Sequence, residues 1–321
     1  MYATINETRP LTWWDYDQVV ISEKIVDYEK VTVLGTGSFG TVYLVYYQSR
    51  AGTKHKCALK EYIDVDVKDI KRETKILSNL SGKSKYIPLF YQTFVTNNIY
   101  SLLMEYCPQV PPHTYYDFTL DHIRVYIYHL LSALETCHSN GIVHADVKPS
   151  NLAIDVSTQT LKLLDFGHSI FYFKDHKSTC YVGTVAYKAP EILCKWANYS
   201  YPVDLWSTGR VMLDMLIPHQ MNRLRGKNIY NQVQQLTEFT GSLAFETLCE
   251  TYQLPNFKLS PKPPQSLPKY VYTNATPQEK ERYKTHFTPA GMDLLERLLS
   301  VDPQLRISAK EALAHPFFFT K

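Results

Sequence analysis

Asp146, Asn151 and Asp165 are the residues of this chain whose types and spacing can do chemistry. They stand in His144-Ala145-Asp146-Val147-Lys148-Pro149-Ser150-Asn151 and in Asp165-Phe166-Gly167. One carboxylate to orient a hydroxyl, with an amide and a second carboxylate to hold a hard divalent cation, is what phosphoryl transfer from ATP needs. Asp146 is the expected base, orienting the acceptor hydroxyl and receiving its proton late in transfer. Lys148 would offset negative charge growing on the γ-phosphoryl group. Asn151 and Asp165 are the expected Mg²⁺ ligands. Two unrelated loop carboxylates beside turns do not account for the combination.

Such groups need others to hold the rest of the nucleotide. Gly35-Thr36-Gly37-Ser38-Phe39-Gly40-Thr41-Val42 lies between two predicted strands, where glycines let the backbone approach a triphosphate closely. A plain hairpin turn would also explain that pattern taken alone. Its strand–turn–strand setting argues against a dinucleotide site, which needs a helix after the glycines. Lys60 closes an apolar strand and Glu73 lies on the next predicted helix. An ion pair between them would aim the ammonium at the α- and β-phosphates. A buried ion pair is weak evidence of stability, so positioning is the better reason to build one.

The elements that must carry these residues change character along the chain. Residues 1–27 read as an ordered extension whose Trp13 and Trp14 are expected to pack on the lobe that follows. Tyr28 to Tyr47 is β-rich, with Val31 and Val33 alternating, and Cys57-Ala58-Leu59-Lys60 is a short third strand. Val67 to Leu80 is a predicted helix with Ile70, Ile76, Leu77 and Leu80 on one stripe, and Tyr91 to Glu105 supplies two more strands. Ile123, Ile127, Leu130 and Leu134 then repeat at helical spacing up to a stop at Asn140-Gly141. Prolines between Pro255 and Pro268 mark a structured but irregular insert. Strands first and helices after predict an α+β, bilobal fold with a small β-rich N-lobe and a larger, mainly α-helical C-lobe. The expected boundaries are an extension over 1–27 and a domain over 28–318, divided into 28–106 and 107–318.

Bulk properties narrow the class. The 321 residues are 45% apolar, 20% charged and 13% aromatic, an ordinary globular composition. A net charge of +3 gives no footprint for nucleic acid or a membrane surface, and no apolar run approaches a membrane span. Met1-Tyr2-Ala3-Thr4 does not open a secretory leader, and the six cysteines have no paired spacing. An intracellular location, cytoplasm or nucleus, is the expectation.

From about Tyr28 to Phe318 the chain resembles the eukaryotic protein kinases. Ala189-Pro190-Glu191 resembles the end of their activation segment. Asp204-Leu205-Trp206-Ser207-Thr208-Gly209 is similar to the start of the helix that anchors their large lobe, and Arg306 to the arginine that pairs with the glutamate of the Ala-Pro-Glu motif, here Glu191. Small-molecule kinases of similar fold generally lack this ensemble, so the resemblance implies protein substrates with Ser or Thr acceptors, ATP and Mg²⁺. It makes Met104 the gatekeeper, assigns adenine to the backbone of Glu105 and Cys107, and adds Leu34, Val42 and Ala58 to the nucleotide-binding set with Gly35, Gly37 and Gly40. Phe166, His144, Leu77 and Phe90 would stack as an apolar spine. Lys148-Pro149-Ser150-Asn151-Leu152-Ala153 and the stretch from Ala309 to Phe318 resemble the mitogen-activated and cyclin-dependent (CMGC) group, whose Thr-x-Tyr pair Thr179-Cys180-Tyr181 matches. Lys148 and Gly183-Thr184 resemble serine/threonine kinases.

The chain departs from that family where phosphorylation is read. Of three arginines that clamp the phosphate, Arg72 is present, but Ala145 and Ile170 occupy the other positions. The expectation is an activation segment held by packing, with Phe171, Tyr172 and Phe173 as contacts; Lys174, Lys177 or a regulatory partner protein are the alternatives. Lys188 stands where proline-directed relatives carry arginine, so a proline preference stays open. The chain ends three residues after Phe318 and is expected to lack the extension that completes the docking groove of MAP kinases. An active serine/threonine protein kinase is the leading expectation. A pseudokinase scaffold is the alternative, and a small-molecule phosphotransferase ranks third.

Overall fold

A computed structural model of the chain describes residues 2, 4–23, 27–48, 53–174, 176–177, 184–218 and 224–319. Two one-turn helices, α1 (Ile5–Thr8) and α2 (Leu11–Trp14), and a short strand β1 (Ser22–Glu23) form the start of the chain. Then come β2 (Tyr28–Gly37), β3 (Gly40–Gln48), β4 (Lys54–Tyr62), helix α3 (Val67–Leu80), β5 (Phe90–Thr96) and β6 (Ile99–Glu105). These six strands make one sheet in the order β1-β5-β6-β4-β3-β2, antiparallel except where β1 runs parallel to β5.

The apolar run at Cys57–Lys60 marks only the covered part of β4. The strand begins at Lys54 because Lys54, His55 and Lys56 pair with β3 while staying exposed. Val31 and Val33 do not mark a buried face either: they are 50% and 53% exposed. They lie on the edge strand β2, whose register against β3 shifts between Lys30 and Thr32 and again between Val33 and Gly35. Helix α3 starts at Asp66, whose side chain accepts from Lys68 N. It buries Ile70, Ile76, Leu77 and Leu80 and, on the same stripe, Glu73.

The second lobe is helical: α4 (Leu120–Ser139), α5 (Pro190–Leu193), α6 (Pro202–Leu216), α7 (Ile229–Thr240), α8 (Ser242–Thr251), α9 (Leu267–Asn274), α10 (Pro277–His286), α11 (Pro289–Leu298) and α12 (Ala309–Leu313). Two small ribbons sit at its upper face. In one, β7 (Ile142–Val143) pairs with β10 (Ile170–Phe171); in the other, β8 (Leu152–Asp155) pairs with β9 (Thr160–Leu163). Helix α6 is buried from Val203 to Leu216 and forms the axis on which this lobe is built. The structure is therefore bilobal, a β-sheet lobe joined to a helical one. No described helix is long and apolar enough to cross a membrane.

The N-terminal extension does not simply pack on the sheet lobe. Trp13 Nε1 donates to Asn140 O (3.3 Å) and Trp14 meets Phe173 edge-on (5.1 Å), both in the helical lobe. Asn79 of α3 donates back to Trp13 O (2.6 Å). The tryptophans place their rings where the lobes meet; Trp13 finds a backbone acceptor there, while Trp14 gains aromatic contact and leaves its buried Nε1 without an acceptor among the described residues.

Candidate active site

Lys60 is one of four buried residues in a row on β4, and its ammonium reaches the inner end of the cleft rather than the protein surface. Its Nζ lies 2.8 and 3.0 Å from the two Glu73 oxygens and 2.9 Å from Asp165 Oδ1. Tyr62, two residues along the same face of β4, donates to Glu73 Oε2 (3.0 Å). Gly167 makes room for this cluster: a Cβ there would lie 3.3 Å from both Asp165 Oδ1 and Glu73 Oε2. Burial works against charge on Lys60, but Glu73 and Asp165 outweigh it and raise its pKa. Burial likewise opposes ionised Asp165, yet Lys60 holds the carboxyl down at about 2. Asp165 is an anion at neutral pH.

The loop after α4 brings Asp146 in from the other side. Ala145 takes a left-handed backbone conformation (φ 64°), held because Asp204 at the head of α6 accepts from His144 N (2.9 Å) and Ala145 N (2.8 Å). Asp146 Oδ2 then meets Lys148 Nζ (2.8 Å) and Asn151 Nδ2 (3.0 Å), and Oδ1 accepts from Thr184 N (3.2 Å). Lys148 also donates to Thr184 Oγ1 (3.1 Å). Asn151 spends its amide N–H on Asp146, which turns its Oδ1 into the atom able to ligate a cation.

One cavity of about 380 Å³ receives Lys60, Glu73, Asp146, Lys148, Asn151 and Asp165, with Tyr62 and Thr184 outside its lining. Leu34, Gly35, Gly37, Gly40, Val42 and Ala58 line its sheet side. Met104 and Glu105 at the end of β6, with Cys107 just after it, line the connection between the lobes, and Lys60, Glu73, Asp146, Lys148, Asn151 and Asp165 line the remainder. Every residue picked from the sequence for catalysis, nucleotide or metal thus faces the same space. The glycines divide by cause. Gly40 (φ 138°) is demanded by the fold, since a Cβ would stand 1.8 Å from Glu61 O. A Cβ at Gly35 or Gly37 would meet no protein atom within 4 Å, so packing does not require glycine there. The open space beside them suits a phosphate cradle. Glu105 donates its N–H to Leu89 O (2.9 Å), and its carbonyl meets the Cys107 thiol (3.7 Å).

Behind the site, His144 meets Phe166 edge-on (4.9 Å) and its Nε2 lies 3.0 Å from Leu164 O, while Leu77 and Phe166 are fully enclosed. Phe90 is only partly buried and sits opposite Met104 in the sheet. Arg306 clamps Glu191 with two bonds of 2.7 and 2.9 Å, both side chains being essentially inaccessible. Three contacts escaped sequence reasoning. Phe39, at the tip of the glycine turn, meets the ring of His168 edge-on (4.6 Å), so the turn touches the segment after Asp165. Tyr62 completes the Lys60 cluster and was missed because the expected strand stopped at Lys60, two residues short of where β4 ends. Thr184, read only as a mark of acceptor class, is a third prop for Asp146. Thr179, Cys180, Tyr181 and Gly183 lie outside the described residues.

A polar cluster with one ammonium between two carboxylates, a second ammonium beside a buried carboxylate, and an adjoining glycine-lined space is equipped to hold a metal-bound polyphosphate and a hydroxyl. The protein kinase domain family model matches residues 28–318. That match spans most of the 321 residues and includes every residue of this cluster, and by it the chain belongs to the protein kinase family.

Proposed function

We propose that this chain is an active serine/threonine protein kinase, nearest in character to the mitogen-activated and cyclin-dependent group. Convergence of Lys60, Glu73, Asp146, Asn151 and Asp165 on one cavity supports this most directly. Mg²⁺-ATP, when bound, supplies the transferable phosphoryl group and neutralises its oxygens. Asn151 and Asp165 are the residues to hold the metal, and the ionised Asp165 and the outward Asn151 Oδ1 fit that duty. Lys60, steadied by Glu73, steers the α- and β-phosphates. Asp146 orients the acceptor hydroxyl and accepts its proton, and Lys148 stands where charge grows on the transferred group. The domain is taken to run over 28–318 with its lobes divided at 106/107, acting inside the cell on protein substrates.

Activity is also proposed to depend little on phosphorylation of the activation segment. Arg72 already donates to Ser169 O (3.0 Å) and Gly167 O (3.1 Å) and pairs with Asp69 (2.5 Å), so its guanidinium braces the segment directly. Asn6 donates to Tyr172 O (2.9 Å) and Trp14 backs Phe173.

The test of transfer uses labelled ATP, Mg²⁺ and a basic protein beside Asp165→Asn. Incorporation by the parent and none by the variant is expected. Nucleotide binding without transfer would select the pseudokinase scaffold. Thr179→Ala is expected to keep activity close to the parent's, and a hundredfold loss would refute the regulatory part.

A further inference from the structure

The proline-bearing insert plays no part in phosphoryl transfer, yet it builds one wall of a second cavity. This cavity, about 610 Å³, lies on the helical lobe between the end of α7, α8, the chain entering α9 and the end of α11 with its following turn. It shares no lining residue with the catalytic cleft. Gly241 makes the corner between α7 and α8 with φ 76°, and a Cβ there would stand 2.8 Å from Pro264 N. Around that corner the insert is tied down: Ser242 N donates to Lys262 O (3.0 Å), Lys262 N to Ser242 Oγ (3.1 Å) and Gln265 N to Phe239 O (3.2 Å). The cavity is thus pre-formed, with no ordering needed on binding.

Its chemistry is specific. Phe239, Leu248, Leu267 and Leu299 are buried in its walls, while Leu243 and Leu305 stand 68% and 76% exposed at the rim. Two exposed leucines framing an apolar hollow form a surface that water disfavours. Among the described residues, the charged side chains lining the space are Glu296 and Asp302, and no lysine, arginine or histidine lines it. Asp302 Oδ1 accepts from Tyr252 OH (2.8 Å) and Gln304 N (2.9 Å). Arg297, next to Glu296, is engaged by Asp293 (2.9 Å) and does not cancel that charge. Thr247, Thr251 and Ser266 bring hydroxyls suited to a peptide backbone. An anionic amphiphile would be repelled here, whereas a cationic one gains on both counts.

We infer that this cavity docks a short segment of a protein partner carrying an apolar anchor flanked by lysine or arginine. The anchor fills the hollow between Leu243 and Leu305, and the flanking cations face Glu296 and Asp302. Docking is separate from chemistry, so it stands whether or not the cleft transfers phosphate.

Fluorescein-labelled dodecapeptides with a central Leu-Ala-Leu and flanks of lysine and alanine, or of glutamate and alanine, test this. They lack acceptor hydroxyls and cannot be substrates. Anisotropy with the full chain is expected to detect the lysine-flanked peptide and not the glutamate-flanked one. Glu296→Lys and Leu305→Asp, both at exposed positions, should each weaken binding tenfold or more, and Asp165→Asn should leave it unchanged. Melting curves matching the parent's establish that the variants fold. Binding that ignores both rim variants, absence of binding up to millimolar peptide, equal binding of the glutamate-flanked peptide, or displacement of the peptide by oleate would each overturn the assignment.

Discussion

Lys60 holds two carboxylates at once, and this sharing decides what its loss would do. Removing the ammonium leaves Glu73 buried with Tyr62 alone as donor and frees Asp165 from the charge that keeps it ionised. Lys60→Met is expected to lower kcat by about 10²–10³, the usual cost of a missing electrostatic partner. The matched readout is a nucleotide-binding assay, where the loss should be much smaller. Arg306 is a different case. Its partner Glu191 is 1% exposed, so Arg306→Ala strands a buried carboxylate and should cost about 3–5 kcal/mol, measured by chemical denaturation. Arg306→Lys should recover only part, because one ammonium cannot reproduce two parallel bonds. Lys60 was readable from its place after an apolar strand with Glu73 on the next predicted helix, whereas Arg306 was readable only through the family resemblance. The Phe39–His168 contact was readable by neither route, since edge-on aromatic contact depends on how a turn and a distant segment meet.

At the scale of elements, local pattern predicted what local forces build. Helix α3 runs over Val67–Leu80 as its stripe and its Asp66 cap imply. Strand β4 ran longer and β2 more exposed than expected, because pairing partners and sheet edges are set by the tertiary fold. The joint between α4 and β9 has the same character and yields a pH prediction. His129 stacks on Tyr86 (4.2 Å), and its Nδ1 accepts from Leu161 N (3.3 Å), a bond open only to the neutral ring. Burial, helped by Lys85, lowers its pKa to about 4, against roughly 6.5 in an unfolded chain. Between these values the unfolded state binds the extra proton. The contribution of His129 is therefore complete above the unfolded pKa and disappears as pH falls toward 4. With the ring partly solvent-accessible, screening reduces this contribution to about 1 kcal/mol. Urea titrations at pH 7 and pH 4.5 should show a smaller acid-induced loss in His129→Gln than in the parent. Equal losses would mean the ring titrates as it does in water.

Across the whole molecule, the N-terminal extension is the part whose placement was only half legible in the sequence, because Trp13 and Trp14 were expected to pack on the lobe that follows and they reach the helical lobe as well. They lie where three bodies meet. Lys71 on α3 donates to Asp17 O (3.0 Å), β1 extends the sheet beside β5, and Asn6 donates to Gly141 O (2.7 Å) and Tyr172 O (2.9 Å). Gly141 is suited to this docking, since a Cβ there would lie 2.3 Å from Asn6 Oδ1. Tyr201 at the entrance of α6 donates to Tyr2 O (3.0 Å) and packs against Tyr172 (5.0 Å). The extension therefore ties α3, which carries Glu73, to the segment that follows Asp165. Deleting residues 1–18 should raise the cost of reaching the arrangement in which Lys60 touches both carboxylates. The expected result is a fall of about tenfold or more in kcat/KM, as removing about 1.4 kcal/mol of bias would give, with the chain still folded by circular dichroism. Trp14→Ala, which removes one aromatic contact of about 0.5–1.5 kcal/mol beyond its area, should give a smaller fall in the same direction. A deleted chain as active as the parent would separate the extension from activity and return the bracing of the activation segment to Arg72 alone.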